Sequence, residues 1–412
     1  MGNCASCGEP PQKPRNDAKK NATATPVNAA ATDRHVKGGD GPLPDKALDS
    51  SFHAVKQLGS GTAGDIFLCK QPSQNNRMVA VKLFPRPFKN GNQTTLLREV
   101  QVPMDLSQGC VSIVTAYEAL LTPTHLALVM EVAEGGSLTS HVANRYTTAN
   151  KGQPIMGEDE ARYLFQQLII AVAHCHKHGW AHRDVKLDNV LMTLSNPPEI
   201  KLCDFGFAKP LDSPMTSGPA QTHLGTPEYM SPELLTHDKQ GDRSPYNATT
   251  VDVWASGVML VVSLLGAFPF DNQKKHHKSV REAELDLWMQ EVNQHWYDSE
   301  HIRSNVSKLS PECRDLLDKI FVTNPQERIT ITQIQAHPWY NQPLTPQYQQ
   351  AAGKVAQQQA QLDQQINAVP SNPSKVQERR RMIDQMVAAA CHGKGKDSEA
   401  VTHVDLTHQG VS

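Results

Sequence analysis

The chain has 412 residues, with 40 Lys and Arg against 42 Asp and Glu, a formal net charge of −2. That balance excludes a whole-protein basic field for nucleic acid, and there is no run of about 18 apolar residues to cross a bilayer as a helix; the longest apolar run is Val258 to Leu265. With 38% apolar and 20% charged residues, and about 150 residues per domain as a guide, the length fits two folded units plus tails.

The N-terminus, Met1-Gly2-Asn3-Cys4-Ala5-Ser6, fits the N-myristoylation pattern M-G-x-x-x-[ST] at Gly2. One myristoyl chain holds a membrane only marginally, so a second signal is needed. Cys4 and Cys7 lie close enough to take palmitate, and Lys13, Arg15, Lys19 and Lys20 can meet anionic headgroups. The rival reading is an unmodified arm with two incidental cysteines; the coincidence of Gly, Ser and Cys favours lipidation. The expected location is therefore the cytoplasmic leaflet of a membrane, reached through a peripheral lipid anchor. No apolar segment of a secretion signal stands at this end. The eight cysteines therefore do not read as a disulfide framework, and the Cys4/Cys7 pair lacks the second pair of a zinc site. Residues 1–51 read as a disordered arm, rich in Pro, Ala, Asn, Asp and Lys.

Next comes Leu58-Gly59-Ser60-Gly61-Thr62-Ala63-Gly64-Asp65-Ile66. A G-x-G-x-x-G alone also spells a dinucleotide-binding turn, which would open a helix. Here Ile66 to Cys69 has strand character, and a polar turn leads to the strand Met78 to Phe84. A strand–glycine turn–strand unit can fold over phosphates with its backbone N–H groups. Lys82 stands in that otherwise apolar strand, where a bare ammonium is costly to bury. It either finds an anionic partner or snorkels from an edge strand. A helical stretch, Thr94 to Val102, offers Glu99 as the partner.

Two further clusters follow. Trp180-Ala181-His182-Arg183-Asp184-Val185-Lys186-Leu187-Asp188-Asn189 precedes apolar Val190 to Met192, and Ile200 to Leu202 leads into Cys203-Asp204-Phe205-Gly206. They stand as H-R-D-x-K-x-x-N and D-F-G, in order and about 20 residues apart. The sequence here resembles the eukaryotic protein kinases over residues 52–340. The resemblance implies an α+β, bilobal fold: a small β-rich N-lobe with one long helix (about 52–131) and a larger, mainly helical C-lobe (about 134–340). It implies an enzyme that uses ATP and Mg²⁺.

Residue by residue, the resemblance implies that Gly59, Gly61 and Gly64 form the loop over ATP. Lys82 holds its phosphates and pairs with Glu99. Asp184 accepts the substrate proton, Lys186 steadies the γ-phosphate, and Asn189 and Asp204 bind Mg²⁺. Leu126 to Gly136 resembles the strand and hinge between lobes. Met130 backs the adenine pocket, Glu131 and Ala133 offer backbone groups to its edge, and Leu58, Ile66, Ala80 and Leu191 sandwich the ring.

Lys186 two positions after Asp184 is the serine/threonine pattern, and Gly225-Thr226-Pro227-Glu228-Tyr229-Met230-Ser231-Pro232-Glu233 agrees, with Thr226 against Asp184 and Lys186. Thr222 matches the position of a loop phosphate that would pair with Arg183. Asp252 is expected to tie down the catalytic loop, and Glu233 to pair with Arg328. Val258 to Phe270 is most similar to the SNF1-related and calcium/calmodulin-dependent group. The partners implied are proteins bearing Ser or Thr, with no nucleic acid, and the chain reads as a monomer. The rival from another class is a pseudokinase-like, membrane-tethered scaffold.

Some features depart from the pattern. Pro103 falls where a helix carrying Glu99 should continue, so that helix is expected to end early or bend. Ser137 stands where relatives that select basic substrates carry glutamate. Residues 273–300 read as a solvated insertion with Lys274, Lys275, His276, His277 and Lys278. Residues 341–412 read as a Gln/Ala-rich, largely disordered tail, with a short basic helix over 376–390 that is either solvated or a regulatory target segment.

Overall fold

The structure is a computed structural model that describes residues 43–60, 64–89, 93–148, 154–212, 227–235, 246–271, 280–368, 372–391 and 401–406. Gly2, Cys4, Cys7, Gly61, Thr222, Thr226 and the Lys274–Lys278 run lie outside them. The first lobe is built on β1 (His53–Ser60), β2 (Asp65–Gln71) and β3 (Arg77–Pro85), then α1 (Gln93–Leu106), β4 (Ala116–Leu121) and β5 (His125–Met130). Antiparallel pairing sets Ile66 opposite Lys82, and Lys82 opposite Leu128. Gly64 is required by close approach: a Cβ there would lie 2.1 Å from the Leu83 carbonyl oxygen.

The second lobe is mostly helical. In order come α2 (Leu138–Thr148), α3 (Glu158–Lys177), β6 (Trp180–Ala181), β7 (Val190–Met192), β8 (Ile200–Leu202) and β9 (Lys209–Pro210). They are followed by α4 (Pro232–Leu235), α5 (Ala248–Leu265), α6 (Val280–Asn293), α7 (Glu300–Arg303), α8 (Pro311–Ile320) and α9 (Ile331–Ala336). Helix α5 is apolar on every face because it is the core helix: 94% of it is buried, although length and composition alone would let it span a membrane. Asn247 caps its start, and Gly266 ends it with φ +69, a left-handed turn that suits glycine. Ser137 begins α2 by accepting the Ser140 N–H at 3.3 Å.

Four sequence expectations need correction. First, the arm is shorter than 1–51, because Leu43, Leu48 and Phe52 bury themselves against the sheet and buried Asp45 accepts a hydrogen bond from the Thr122 hydroxyl. Second, α1 does not end before Pro103 but runs to Leu106. The proline sits in the last turn, where few backbone bonds depend on it. Third, residues 280–300 are not a solvated insertion, since α6 buries Leu287 and the turn after it buries Trp296.

Fourth, residues 341–412 contain α10 (Pro346–Ala368), α11 (Pro373–Cys391) and β10 (Thr402–Asp405). Helix α10 lays Ala351 and Val355 on the second lobe, stacks Tyr348 on Tyr163 at 5.4 Å and lets Gln359 accept from the Val111 N–H at 3.0 Å. Helix α11 is longer than the expected 376–390 segment. It buries Ile383, Met386, Val387 and Ala390 in the apolar cluster that holds Leu96, Val100 and Met104 of α1 and Leu128 of β5. Those four positions follow the i, i+3, i+4, i+7 rule of a helix face. Strand β10 then pairs antiparallel with β4, making a six-stranded sheet ordered β1-β2-β3-β5-β4-β10.

Candidate active site

The two lobes meet where β3, α1 and the loops around β7 and β8 converge. Lys82 Nζ lies 2.8 Å from Glu99 Oε2, and both residues are buried. Burial alone would lower the Lys82 pKa, but Glu99 and Asp204 hold it well above the ordinary lysine range. Burial pushes the Glu99 carboxyl up to about 7, with Lys82 opposing and Asp204 adding to the rise. One ammonium thus serves two carboxylates in a space with little water to screen them.

Below this pair, the segment after β6 wraps around Asp184. Asp252 of α5 accepts the His182 N–H at 2.9 Å and the Arg183 N–H at 2.7 Å, and His176 Nε2 lies 2.8 Å from the same carboxylate. Such bonds fix a loop whose Arg183 has φ +66, a left-handed conformation costing a non-glycine residue roughly 1–2 kcal/mol. His182 accepts the Asp184 N–H at Nδ1, so its proton sits on Nε2, 3.1 Å from the Cys203 carbonyl oxygen. The loops before and after β7 and β8 are therefore locked to one another.

Asp184 is held on three sides. Lys186 Nζ lies 2.8 Å from its Oδ2, and Asn189 Nδ2 donates to the Asp184 carbonyl and to Oδ2, each at 2.8 Å. Burial raises the Asp184 pKa, with Lys186 pulling it back. Asp204 has φ +65, and burial tends to raise its pKa, but Lys82 and Lys186 together hold it below the ordinary carboxylate value. Gly206 is packed on Glu99, and Phe205 is buried against the His182 ring at 4.9 Å.

The residue types fit a divalent cation. Glu99, Asp184 and Asp204 bring three carboxylates against the two ammonium groups of Lys82 and Lys186, an acidic excess that a cation relieves. Both N–H groups of the Asn189 amide go to Asp184, which leaves its oxygen as the acceptor. Among the described residues no cluster of three His, Cys, Asp or Glu could hold a metal unaided. Two oxygen donors with the rest supplied by phosphate and water is how Mg²⁺ is usually bound.

The expected nucleotide-pocket residues line the same cleft. Ala80 pairs with Met130, Gly59 with Ile66, and Leu191 bridges to Ser137. Leu58 is half exposed. The Glu131 N–H is used by the Thr115 carbonyl at 2.8 Å and its carboxylate by Lys201 at 2.7 Å, so that residue is a fixed edge. Gly135 lies so close to Met192 and Thr193 that a Cβ would meet the Thr193 oxygen at 2.5 Å. Glu233 and Arg328 form the expected buried pair, at 2.7 and 2.8 Å.

Sequence reasoning missed a second cluster. Arg98, Arg183 and Lys209 converge beside Tyr246, with Arg183 and Lys209 5.9 and 5.8 Å from its ring centroid. The Arg98 and Lys209 pKa values are lowered by burial first and then by their cationic neighbours. Arg183 Nε is buried with no hydrogen-bond partner. Three cations held together without a carboxylate among them make an anion-binding pocket. Only the neighbouring position of Arg98 beside Glu99 hinted at it in the sequence.

A β-rich lobe over a helical lobe, with a buried Lys–Glu pair above a loop-borne aspartate, defines a protein kinase fold. A family profile described as the protein kinase domain matches residues 52–340. The chain is similar to serine/threonine-protein kinase SAPK7 of Oryza sativa subsp. japonica, 36% identical over 304 residues, 73% of this chain and 75% of that one. It is 37% identical to serine/threonine-protein kinase SRK2E of Arabidopsis thaliana over 308 residues, 75% and 76% of the two chains. It is 36% identical to rice SAPK4 over 337 residues, 81% and 82%. The chain therefore belongs to the protein kinase family, and it is a serine/threonine protein kinase that uses ATP.

Proposed function

We propose that the chain transfers the γ-phosphate of ATP to Ser or Thr hydroxyls with Mg²⁺ bound, acting as a monomer at a cytoplasmic membrane surface. The three-sided restraint of Asp184 carries this reading. Lys186 and Asn189 both spend hydrogen bonds on that carboxylate, which leaves Oδ1 to take the hydroxyl proton as the oxygen attacks phosphorus. Lys82, steered by Glu99, meets the α- and β-phosphates, and Lys186 the γ-phosphate. Asn189 and Asp204 supply oxygen ligands for Mg²⁺, which when bound neutralises phosphate charge. Gly59, Gly61 and Gly64 cover the phosphates. Leu58, Ile66, Ala80 and Leu191 hold the adenine ring, with Met130 behind it and the Glu131 and Ala133 backbone at its edge. Thr226 favours a Ser or Thr hydroxyl beside Asp184.

Radiolabelled phosphate transfer by the Asp184→Asn chain tests this; a loss of about 10²–10⁴-fold is expected for removal of a general base. Equal transfer by both chains overturns the enzymatic role of Asp184 and favours the scaffold reading. Phosphorylated Thr222 is the anion we assign to the Arg98–Arg183–Lys209 pocket. Kinship within the family is closest to the SNF1-related group. Myristate on Gly2 with palmitate on Cys4 or Cys7 provides the anchor. Gly2→Ala should release the chain from the membrane fraction, and unchanged association counts against acylation. Gel filtration at assay concentration tests the monomer.

A further inference from the structure

The inference concerns how Glu99 is kept in place, and it rests on the Lys82–Glu99 role proposed above. In an α-helix the N–H of residue 103 bonds the carbonyl of residue 99. Residue 103 is proline and has no N–H, so Glu99 lacks its helical donor. The helix is weakened at the turn that carries the functional carboxylate. We propose that α11 splints this proline-weakened turn, making Ile383, Met386 and Arg380 positioning residues for phosphoryl transfer.

Several contacts span the weak point. Val100 and Met104, one on each side of Pro103, share an apolar cluster with Ile383, Met386, Val387 and Ala390. Arg380 Nη2 donates to Asp105 Oδ1 at 2.9 Å, two residues past the proline. The far end of α11 is fastened to the segment after β3, the strand of Lys82. Arg86 Nη2 donates to the Ala389 carbonyl and the Phe88 N–H to the Ala390 carbonyl, each at 3.0 Å. Strand β10 then closes the fastening on β4, where the Leu406 N–H donates to the Tyr117 carbonyl at 2.8 Å. The helix therefore bridges the two elements whose separation sets the Lys82–Glu99 distance. A tail serving only to cover apolar surface would gain nothing from that geometry, and its effect would not depend on residue 103.

That dependence is the test, made on the full chain with Met386→Asp, Pro103→Ala and the double variant. The readouts are kcat and KM for ATP, and deuterium exchange of the amides in α1. Met386→Asp is expected to speed exchange over residues 99–106. It should lower kcat/KM by about 10- to 100-fold, the scale of a catalytic group misplaced by about an ångström. Pro103→Ala restores the missing donor, so the double variant should regain most of the loss. An equal loss in both backgrounds overturns the splint, as does unchanged α1 exchange when α11 itself has been released. Faster α1 exchange with unchanged kcat/KM refutes instead the role given to Lys82–Glu99. Should Met386→Asp disturb folding, Arg380→Glu is a gentler probe on a side chain 48% exposed. Its smaller loss should be repaired by Asp105→Arg, and failure of that repair counts against the splint.

Discussion

Gly206→Ala isolates the buried ion pair without touching either partner. A Cβ on residue 206 would lie 2.6 Å from Glu99 Oε1, and Cδ and Cγ would be 3.2 and 3.5 Å away. To reach the 3.4 Å of ordinary contact, that oxygen must retreat by about 0.8 Å. Its other oxygen is 2.8 Å from Lys82 Nζ, and neither group has access to bulk water to replace a lost bond. A retreat of that size breaks or stretches the pair, and misplacement on the scale of an ångström costs about 10²-fold. The expected result is a fall of about 10- to 100-fold in kcat/KM for ATP. Global melting should change far less, because no core side chain is removed. Initial rates across ATP concentrations measure it. Gly157→Ala is the control, since nothing lies within 4 Å of its Cβ. Wild-type kcat/KM in a folded Gly206→Ala chain would refute the reasoning.

Three other expectations follow from the geometry. Glu233→Ala leaves the Arg328 guanidinium buried opposite no carboxylate, with its side chain 0% exposed, and should cost about 3–5 kcal/mol in urea unfolding; a loss under about 1 kcal/mol would mean the pair contributes little. His174 has its pKa lowered to about 4 from an ordinary 6.5, by burial first and then by His178. Because the folded value lies below the unfolded one, the stability it supports is complete above about 6.5 and is lost as pH falls toward 4. His174→Gln should remove on the order of 1–2 kcal/mol of that acid-side slope once solvent screening is counted, and identical pH profiles would sink the assignment. Phosphatase treatment should lower wild-type activity, and Arg98→Ala should shrink the gap between treated and untreated enzyme. An undiminished gap excludes Arg98 from the phosphate pocket.

What the sequence made legible was chemistry compressed into short spacing. His182, Asp184, Lys186 and Asn189 share one loop, and Asp204 lies about 20 residues on, so their roles could be read before their positions. Arg98, Lys209 and Tyr246 are far apart in the chain and have no such spelling; only folding makes them neighbours. The tail misled for another reason. Helix α10 buries just Ala351 and Val355 among many glutamines, and α11 buries four residues in nineteen. Such narrow stripes resemble solvated helix until the groove they fill is known. Pro103 misled in the opposite direction, since a residue that ends an isolated helix is tolerated where a second helix lies across it.

Helix α1 is the element on which these separate facts meet. Successive helical residues point about 100° apart, so Arg98, Glu99 and Val100 face three different surroundings. Arg98 faces the cations of Arg183 and Lys209, Glu99 faces Lys82 and Asp204, and Val100 faces the cluster shared with α11. A rotation of α1 that separates Glu99 from Lys82 must also change the other two contacts. Filling the cationic pocket with an anion and seating α11 therefore favour the same orientation of one rigid element. Each stabilises the Lys82–Glu99 pair without touching it. On that account, the loss from Arg98→Ala and the loss from Met386→Asp should not add: they act on one coordinate, and the second change finds it already released.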